Sequence, residues 1–195
     1  MTSKVKILII YAHPNKLGFC GFFLKKILTK LKKQKISFQI LDLYKINFSP
    51  LLQAEEHYTS GHFTLNNETK EIQKKIQKAS GLIFIYPIWW QNMPAILKGF
   101  FDRVFTPRFA FKYIGNFPHG LLKNKKAIIF SSSGAPRILT KILFKNRALK
   151  NIKKDILNFC GFKVKTFSIG SARQLNDTAK QKIEKLVKKG LQFIS

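Results

Sequence analysis

Acidic side chains are scarce in this 195-residue sequence: 9 Asp and Glu stand against 36 Lys and Arg, giving a formal charge of +27. Carboxylate-rich metal centres are hard to build from so few acids. His13, His57, His62 and His119 are scattered rather than grouped at ligand spacing, which weighs further against metal-assisted hydrolysis. Cysteine is nearly missing too. Cys20 and Cys160 sit in apolar surroundings without CxxC spacing, which argues against a disulfide scaffold and predicts two free thiols in a reduced compartment. No run of about 18–20 apolar residues occurs, and MTSKVKILIIYAHP enters an alternating segment without an export-cleavage pattern. A cytoplasmic protein is expected. Neither GxGxxG nor GxxxxGK(S/T) is present, which argues against a dinucleotide fingerprint and a P-loop. No serine lies in a GxSxG elbow and neither cysteine has a histidine partner in sequence context, so nucleophilic catalysis is disfavoured.

What is present is an ordinary share of apolar residues, gathered into short runs. Hydrophobic residues make up 45% of the chain, enough for one domain over 1–195 to bury a core unaided. Five runs rich in Val, Ile and Phe read as strands: KVKILIIYA from Lys4, ISFQILDLY from Ile36, GLIFIYP from Gly81, KAIIFSSS from Lys126 and FKVKTFSIG from Phe162. Helical patterns lie between and after them, over 18–34, 67–80, 94–105, 143–160 and 177–190, with Ile72, Ile76 and Ala79 on one stripe. Such alternation predicts an α/β fold: a flavodoxin-like, doubly wound, five-stranded parallel sheet of order 2-1-3-4-5 in three layers. The ligand site of that order lies beyond the carboxyl ends of the first, third and fourth strands.

Three loops are thereby nominated: AHPNKLGF, YPIWWQNMP and SSSGAP. The first delivers backbone N–H groups at the start of a helix near Gly18, a cradle for phosphate, where His13 either donates a ring N–H or merely steadies the loop. In the second, Pro87 fixes the backbone and Trp89 and Trp90 offer flat faces for an aromatic ligand. Adjacent residues on a strand face opposite sides, so the alternative is that one tryptophan packs inward and the other closes a dimer contact. In the third, small side chains and Gly134 let donors approach a ligand closely. With no evident acid, base or metal, a bound cofactor would have to bring the reactivity. The stretches 50–66 and 106–122 are non-periodic, and the second is unusually aromatic for a loop.

The charge has two readings. Lysines in KKILTKLKKQK and KEIQKKIQK suit the solvated faces of amphipathic helices, and solubility alone accounts for them. A +27 chain also favours contact with polyanions, although no arginine fork or nucleic-acid module is visible, so specific nucleic-acid binding is not expected.

AHPN, then P-x-W-W-x-x-x-P-A-x-L-K-G-F-x-D-R-V from Pro87 to Val104, then TP-x-F-A-aromatic from Thr106, resemble the flavodoxin-like NAD(P)H:quinone oxidoreductases. That group includes DT-diaphorase, the modulators of drug activity and the ancillary subunits of potassium-efflux systems. The resemblance implies a homodimer binding FAD or FMN, with NAD(P)H as hydride donor and a quinone or other flat aromatic acceptor, in a ping-pong cycle. By matching positions, His13, Phe19 and Cys20 fall on the flavin's phosphate side. Pro87, Ile88, Trp89 and Trp90 fall along the isoalloxazine, and Ser132, Ser133, Gly134 and Ala135 on its polar edge. Phe111 and Tyr113 match the aromatic pair that covers the substrate from the partner subunit. Two departures stand out: Leu17, Gly18, Phe19 and Cys20 replace a hydroxyl residue followed by Phe-Asn, and RILTKILFKNRALKN lacks the family's Tyr and His. The rival expectation is a regulatory subunit with weak or no flavin chemistry, its basic surface facing a membrane transporter or an anionic membrane.

Overall fold

The structure, a computed structural model, describes residues 6–194. Lys4 and Val5, where the first predicted strand begins, lie outside them. In chain order the elements are β1 (Ile7–Tyr11), α1 (Gly18–Lys33), β2 (Phe38–Asp42), a 3-10 turn (Ala54–Glu56), α2 (Asn67–Lys78), β3 (Gly81–Pro87), α3 (Ala95–Val104) and a hairpin of β4 (Phe111–Ile114) and β5 (Phe117–Gly120). There follow β6 (Lys126–Ser132), α4 (Arg137–Ile142), α5 (Arg147–Lys150), a π-helical segment (Asn151–Asn158), β7 (Lys163–Ile169) and α6 (Asp177–Ile194).

The main sheet has the order β2-β1-β3-β6-β7 with every pairing parallel, which is the expected 2-1-3-4-5 arrangement. Period-two alternation divides each central strand between two cores. Leu8, Ile10, Leu82, Phe84 and Ile129 pack with α2, α3 and the π-helical segment, whereas Ile7, Ile9, Ile83, Ile85 and Ile128 pack with α1 and α6. Each fully buried side chain of this kind contributes about 1.5–3 kcal/mol, so both faces of the sheet must be covered for these runs to be stable. Among the described residues, no helix is long and apolar enough to cross a membrane.

Three expectations need correction. The aromatic stretch 106–122 is not simply a loop, since Phe111–Ile114 and Phe117–Gly120 pair antiparallel around positive-φ Gly115. The helix expected over 143–160 is interrupted, because Lys145 and Asn146 take φ of 48° and 53° and the chain resumes in α5 and then widens to π geometry. An unexpected helix, α4, precedes that break. The segment 50–66 was unplaced by pattern and is fastened to α3 by close packing and by an ion pair. A Cβ on Gly99 would stand 2.1 Å from the Pro50 carbonyl oxygen, so the two backbones touch where only glycine fits.

That ion pair is buried. Arg103 on α3 donates from Nε to Glu56 Oε2 at 2.8 Å and from a terminal nitrogen to Glu56 Oε1 at 2.8 Å, with a further bond to the Ser49 carbonyl at 2.6 Å. Both side chains are 3% exposed. The bidentate guanidinium holds the Glu56 carboxyl below its ordinary value, and Glu56 in turn raises Arg103.

Candidate functional site

Because the five strands run parallel, all their carboxyl ends meet at one edge, and the loops after β1, β3, β6 and β7 close a pocket of about 360 Å³ there. His13, Phe19, Cys20, Pro87, Ile88, Trp89, Ser132, Ser133 and Gly134 line it. Those are most of the residues nominated above as cofactor-binding. Ala135, Trp90, Phe111 and Tyr113 lie outside the lining.

The first wall is the loop after β1. The Tyr11 hydroxyl donates to the Asn15 carbonyl at 2.7 Å, and His13 Nδ1 lies 2.8 Å from that carbonyl and 3.1 Å from the Asn15 N–H. The loop is thus pinned by its own side chains. Asn15 Oδ1 accepts from the Leu17 N–H, and α1 then opens at Gly18 with φ of 78° and without a side-chain cap among the described residues. First-turn N–H groups left uncapped beside a pocket suit an anion. Burial keeps Tyr11 protonated, its pKa raised first by desolvation and then by Cys20 and Asp42.

The second wall answers what two adjacent tryptophans do. Trp89 and Asn92 exchange backbone hydrogen bonds of 3.0 and 2.9 Å, and the residues between them, Trp90 and Gln91, have φ of 50° and 56°. Positive φ at both central residues is the mark of a tight primed turn, usually served by Asn-Gly. The turn separates the pair: Trp89 lines the pocket with its ring 6.0 Å from the His13 ring, and Trp90 at the tip is 100% exposed. A bulky residue in this backbone region costs about 1–2 kcal/mol, so the exposed tip is held there against local preference.

The third wall is the loop after β6. Ile88 N–H donates to the Ser132 carbonyl at 2.7 Å, joining this wall to the second. Ser132 Oγ lies 3.4 Å from Cys20 Sγ, and Ser133 Oγ donates to the Ala135 carbonyl at 3.1 Å, which turns the chain away before Ala135 reaches the lining. Gly134 is exposed with open space where a Cβ would stand. Cys20 is buried, and desolvation pushes its thiol up to about 12, opposed by the Ser132 bond. Cys160, also buried, is likewise raised to about 12. Both thiols will therefore resist iodoacetamide at pH 8 in the folded protein and react after unfolding, as mass spectrometry of alkylated samples will record; rapid native modification of Cys20 would contradict this closed packing.

A fourth contributor was not among the nominated residues. Ala172 N–H donates to the Ser133 carbonyl at 2.9 Å, and this strap brings Arg173 and Leu175 of the loop after β7 to the rim. The switch-point rule directs attention to other loops, but the shared edge of a parallel sheet was signal enough to include SARQL. Phe111 lines a different cavity of about 260 Å³, with Glu56, Phe101 and Pro107, while Tyr113 is exposed on the hairpin.

The family model described as a flavodoxin-like fold matches residues 5–192. Ribosyldihydronicotinamide dehydrogenase (quinone) of Rattus norvegicus is 30% identical over 91% of this chain and 86% of its own length. The chain belongs to the flavodoxin-like NAD(P)H:quinone oxidoreductase family. Among solved structures of similar proteins, Smu.1420 from Streptococcus mutans UA159 is 36% identical with a TM-score of 0.81, covering 97% of this chain and 98% of that one. The NAD(P)H:quinone oxidoreductase from Methanothermobacter marburgensis is 26% identical with a TM-score of 0.82, covering 98% and 96%. As a member of the quinone oxidoreductase family, the protein is an oxidoreductase.

Proposed function

We propose that the protein is a flavin-dependent NAD(P)H dehydrogenase of the quinone-reducing type, a single domain over 1–195 that works in the cytoplasm. The observation that carries this reading is the convergence of an uncapped helix start, an aromatic face and a Ser-Gly loop on one pocket. Its donor set fits a flavin: N–H groups of Gly18, Phe19 and Cys20 for phosphate, Trp89 and Ile88 as the wall for a planar ring, and the Ser132 to Gly134 segment at its polar edge. Arg173 at the rim adds a guanidinium suited to phosphate. An adjoining groove of about 540 Å³ shares Leu17, Gly18 and Leu175 with the pocket, which gives room for the longer FAD beside the shorter FMN.

Flavin, when bound, supplies two-electron chemistry, taking hydride from NAD(P)H and passing the electrons to an acceptor in alternate half-reactions. The protein's part is to orient the ring against Trp89, satisfy its polar edge and keep the floor dry with Phe19 and Cys20, which are 8% and 2% exposed. The named relatives support a quinone as acceptor. Phe111 and Tyr113, outside their own pocket, are assigned to cover the pocket of a second copy in a homodimer.

Mixing the purified protein with excess FAD or FMN, desalting, and recording the visible spectrum tests the reading. We expect retained flavin bands that bleach on NADPH or NADH and return on adding a quinone. Folded protein that emerges colourless from both flavins would sink the proposal.

A further inference from the structure

The two helices on one face of the sheet carry a charge pattern that only the fold assembles. α1 and α6 are tied by the Lys26–Glu184 ion pair, and together they hold ten lysines, two carboxylates and no arginine. Both carboxylates are already matched, Glu184 with Lys26 and Asp177 with Lys180. Among the described residues, the other eight lysines of these helices enter no ion pair. A lysine or two in the last turn offsets a helix dipole, and a surface that serves only solubility intersperses both signs. Neither need accounts for ten lysines against two carboxylates.

The topology gathers this charge at one end. α1 starts beside the pocket at Gly18 and ends at Lys33, while α6 ends with Ile194 packed against Gly81, the first residue of β3. The far ends of both helices therefore meet the amino ends of the strands, and Lys165 of β7 stands over the Phe193 ring of α6 at 4.8 Å. Lys32, Lys33, Lys163, Lys165, Lys188 and Lys189 are all exposed at this edge, opposite the pocket. No Asp or Glu occurs in 30–38, 163–169 or 185–194. Phe111, assigned above to cover a second copy, packs with α2 and α3 on the other face of the sheet, so a copy held by that hairpin lies across the sheet from these lysines. The chemistry of the face selects its partner. No large apolar side chain of α1, α6 or β7 is exposed, so nothing here enters a bilayer as a membrane-surface helix does. Ammonium groups without arginine forks or stacking rings neutralise backbone phosphates and leave bases unread.

We propose that the far end of the α1–α6 layer, with the start of β7, is a docking face for the phosphate backbone of a nucleic-acid duplex, bound through lysine charge without sequence preference. The pocket opens at the opposite edge of the sheet, so a protein docked in this way keeps its candidate site accessible to small molecules. Docking of this kind does not depend on flavin binding.

The test is fluorescence anisotropy of the full-length protein with two labelled DNA duplexes of unrelated sequence, titrated from about 50 to 200 mM salt. We expect equal affinity for both duplexes, falling with salt along a log–log slope of about −4.5 or steeper, as about five or more neutralised phosphates require. Lys33→Gln, Lys163→Gln, Lys188→Gln and Lys189→Gln together will make that slope shallower by about 3 to 4 and weaken binding about tenfold or more. A control with Lys45→Gln, Lys70→Gln, Lys145→Gln and Lys150→Gln removes the same charge away from this edge and will keep the wild-type slope to within about one unit. All eight positions are exposed and outside the pocket lining, and the wild-type slope is read without either variant. Equal weakening by the two variants would assign binding to net charge and overturn the face. A flat salt response would exclude phosphate contacts. Wild type that pellets with phosphatidylglycerol vesicles under conditions where it ignores both duplexes would make the partner a membrane and overturn the proposal as well.

Discussion

Replacing Glu56 with Ala will destabilise the protein by about 3–5 kcal/mol, because it leaves the Arg103 guanidinium charged, 3% exposed and without its bidentate partner. The loss will appear as a lower urea midpoint. A double replacement, Glu56→Leu with Arg103→Met, will recover most of it, since both desolvated charges then disappear together. If the single and double variants lose equal stability, the geometry of the pair matters less than the volume of its side chains. The wild-type pair also sets an acid limit. The folded-state pKa of Glu56 lies below its ordinary 4.5, so the stability it contributes is fully present above that value and is lost as pH falls through the lowered folded-state value. The Glu56→Ala variant will lack this component of the acid-side slope.

Replacing Trp89 with Ala will weaken flavin binding about tenfold to a hundredfold, the range expected when a stacking face worth about 1–3 kcal/mol is removed. Trp90→Ala alone will leave flavin titration nearly unchanged, because that ring stands fully exposed at the tip of the turn. The Trp89→Ala/Trp90→Ala double variant should then match Trp89→Ala in a fluorescence titration with FMN or FAD. Tight flavin binding that survives the loss of both rings would remove the basis of the aromatic wall. A large effect of Trp90→Ala alone would place that ring over the cofactor of a second copy.

The residues legible in the sequence are those whose environment is set locally or by the sheet as a whole. Ile83, Ile85 and Ile128 sit in continuous apolar runs because both faces of a parallel sheet are buried, and the resulting strand order brought His13, Trp89 and Ser132 to one edge. Glu56 and Arg103 were illegible for the opposite reason. They are 47 residues apart, and nothing in QAEEHYTSGH or in the α3 pattern announces that one carboxylate and one guanidinium will meet in the dark. The hairpin Phe111–Gly120 escaped because its strands are four residues each and mostly exposed, so they lack the buried alternation that reveals a strand. The helix expected over 143–160 starts late because the left-handed pair Lys145 and Asn146 interrupts the chain between α4 and α5. Arg173 was passed over since its loop follows the outermost strand, and only the strap from Ala172 to Ser133 carries it to the pocket.

The turn at Trp90 and Gln91 sets thermal robustness against surface chemistry. Anyone hardening this protein for use would graft Asn-Gly there first, relieving two unfavourable backbone conformations in a position that looks expendable from the solvent side. The graft would also erase the most prominent aromatic tip at the mouth of the pocket. A stabilised variant chosen by melting temperature alone would therefore be selected, unknowingly, for a blunter working edge.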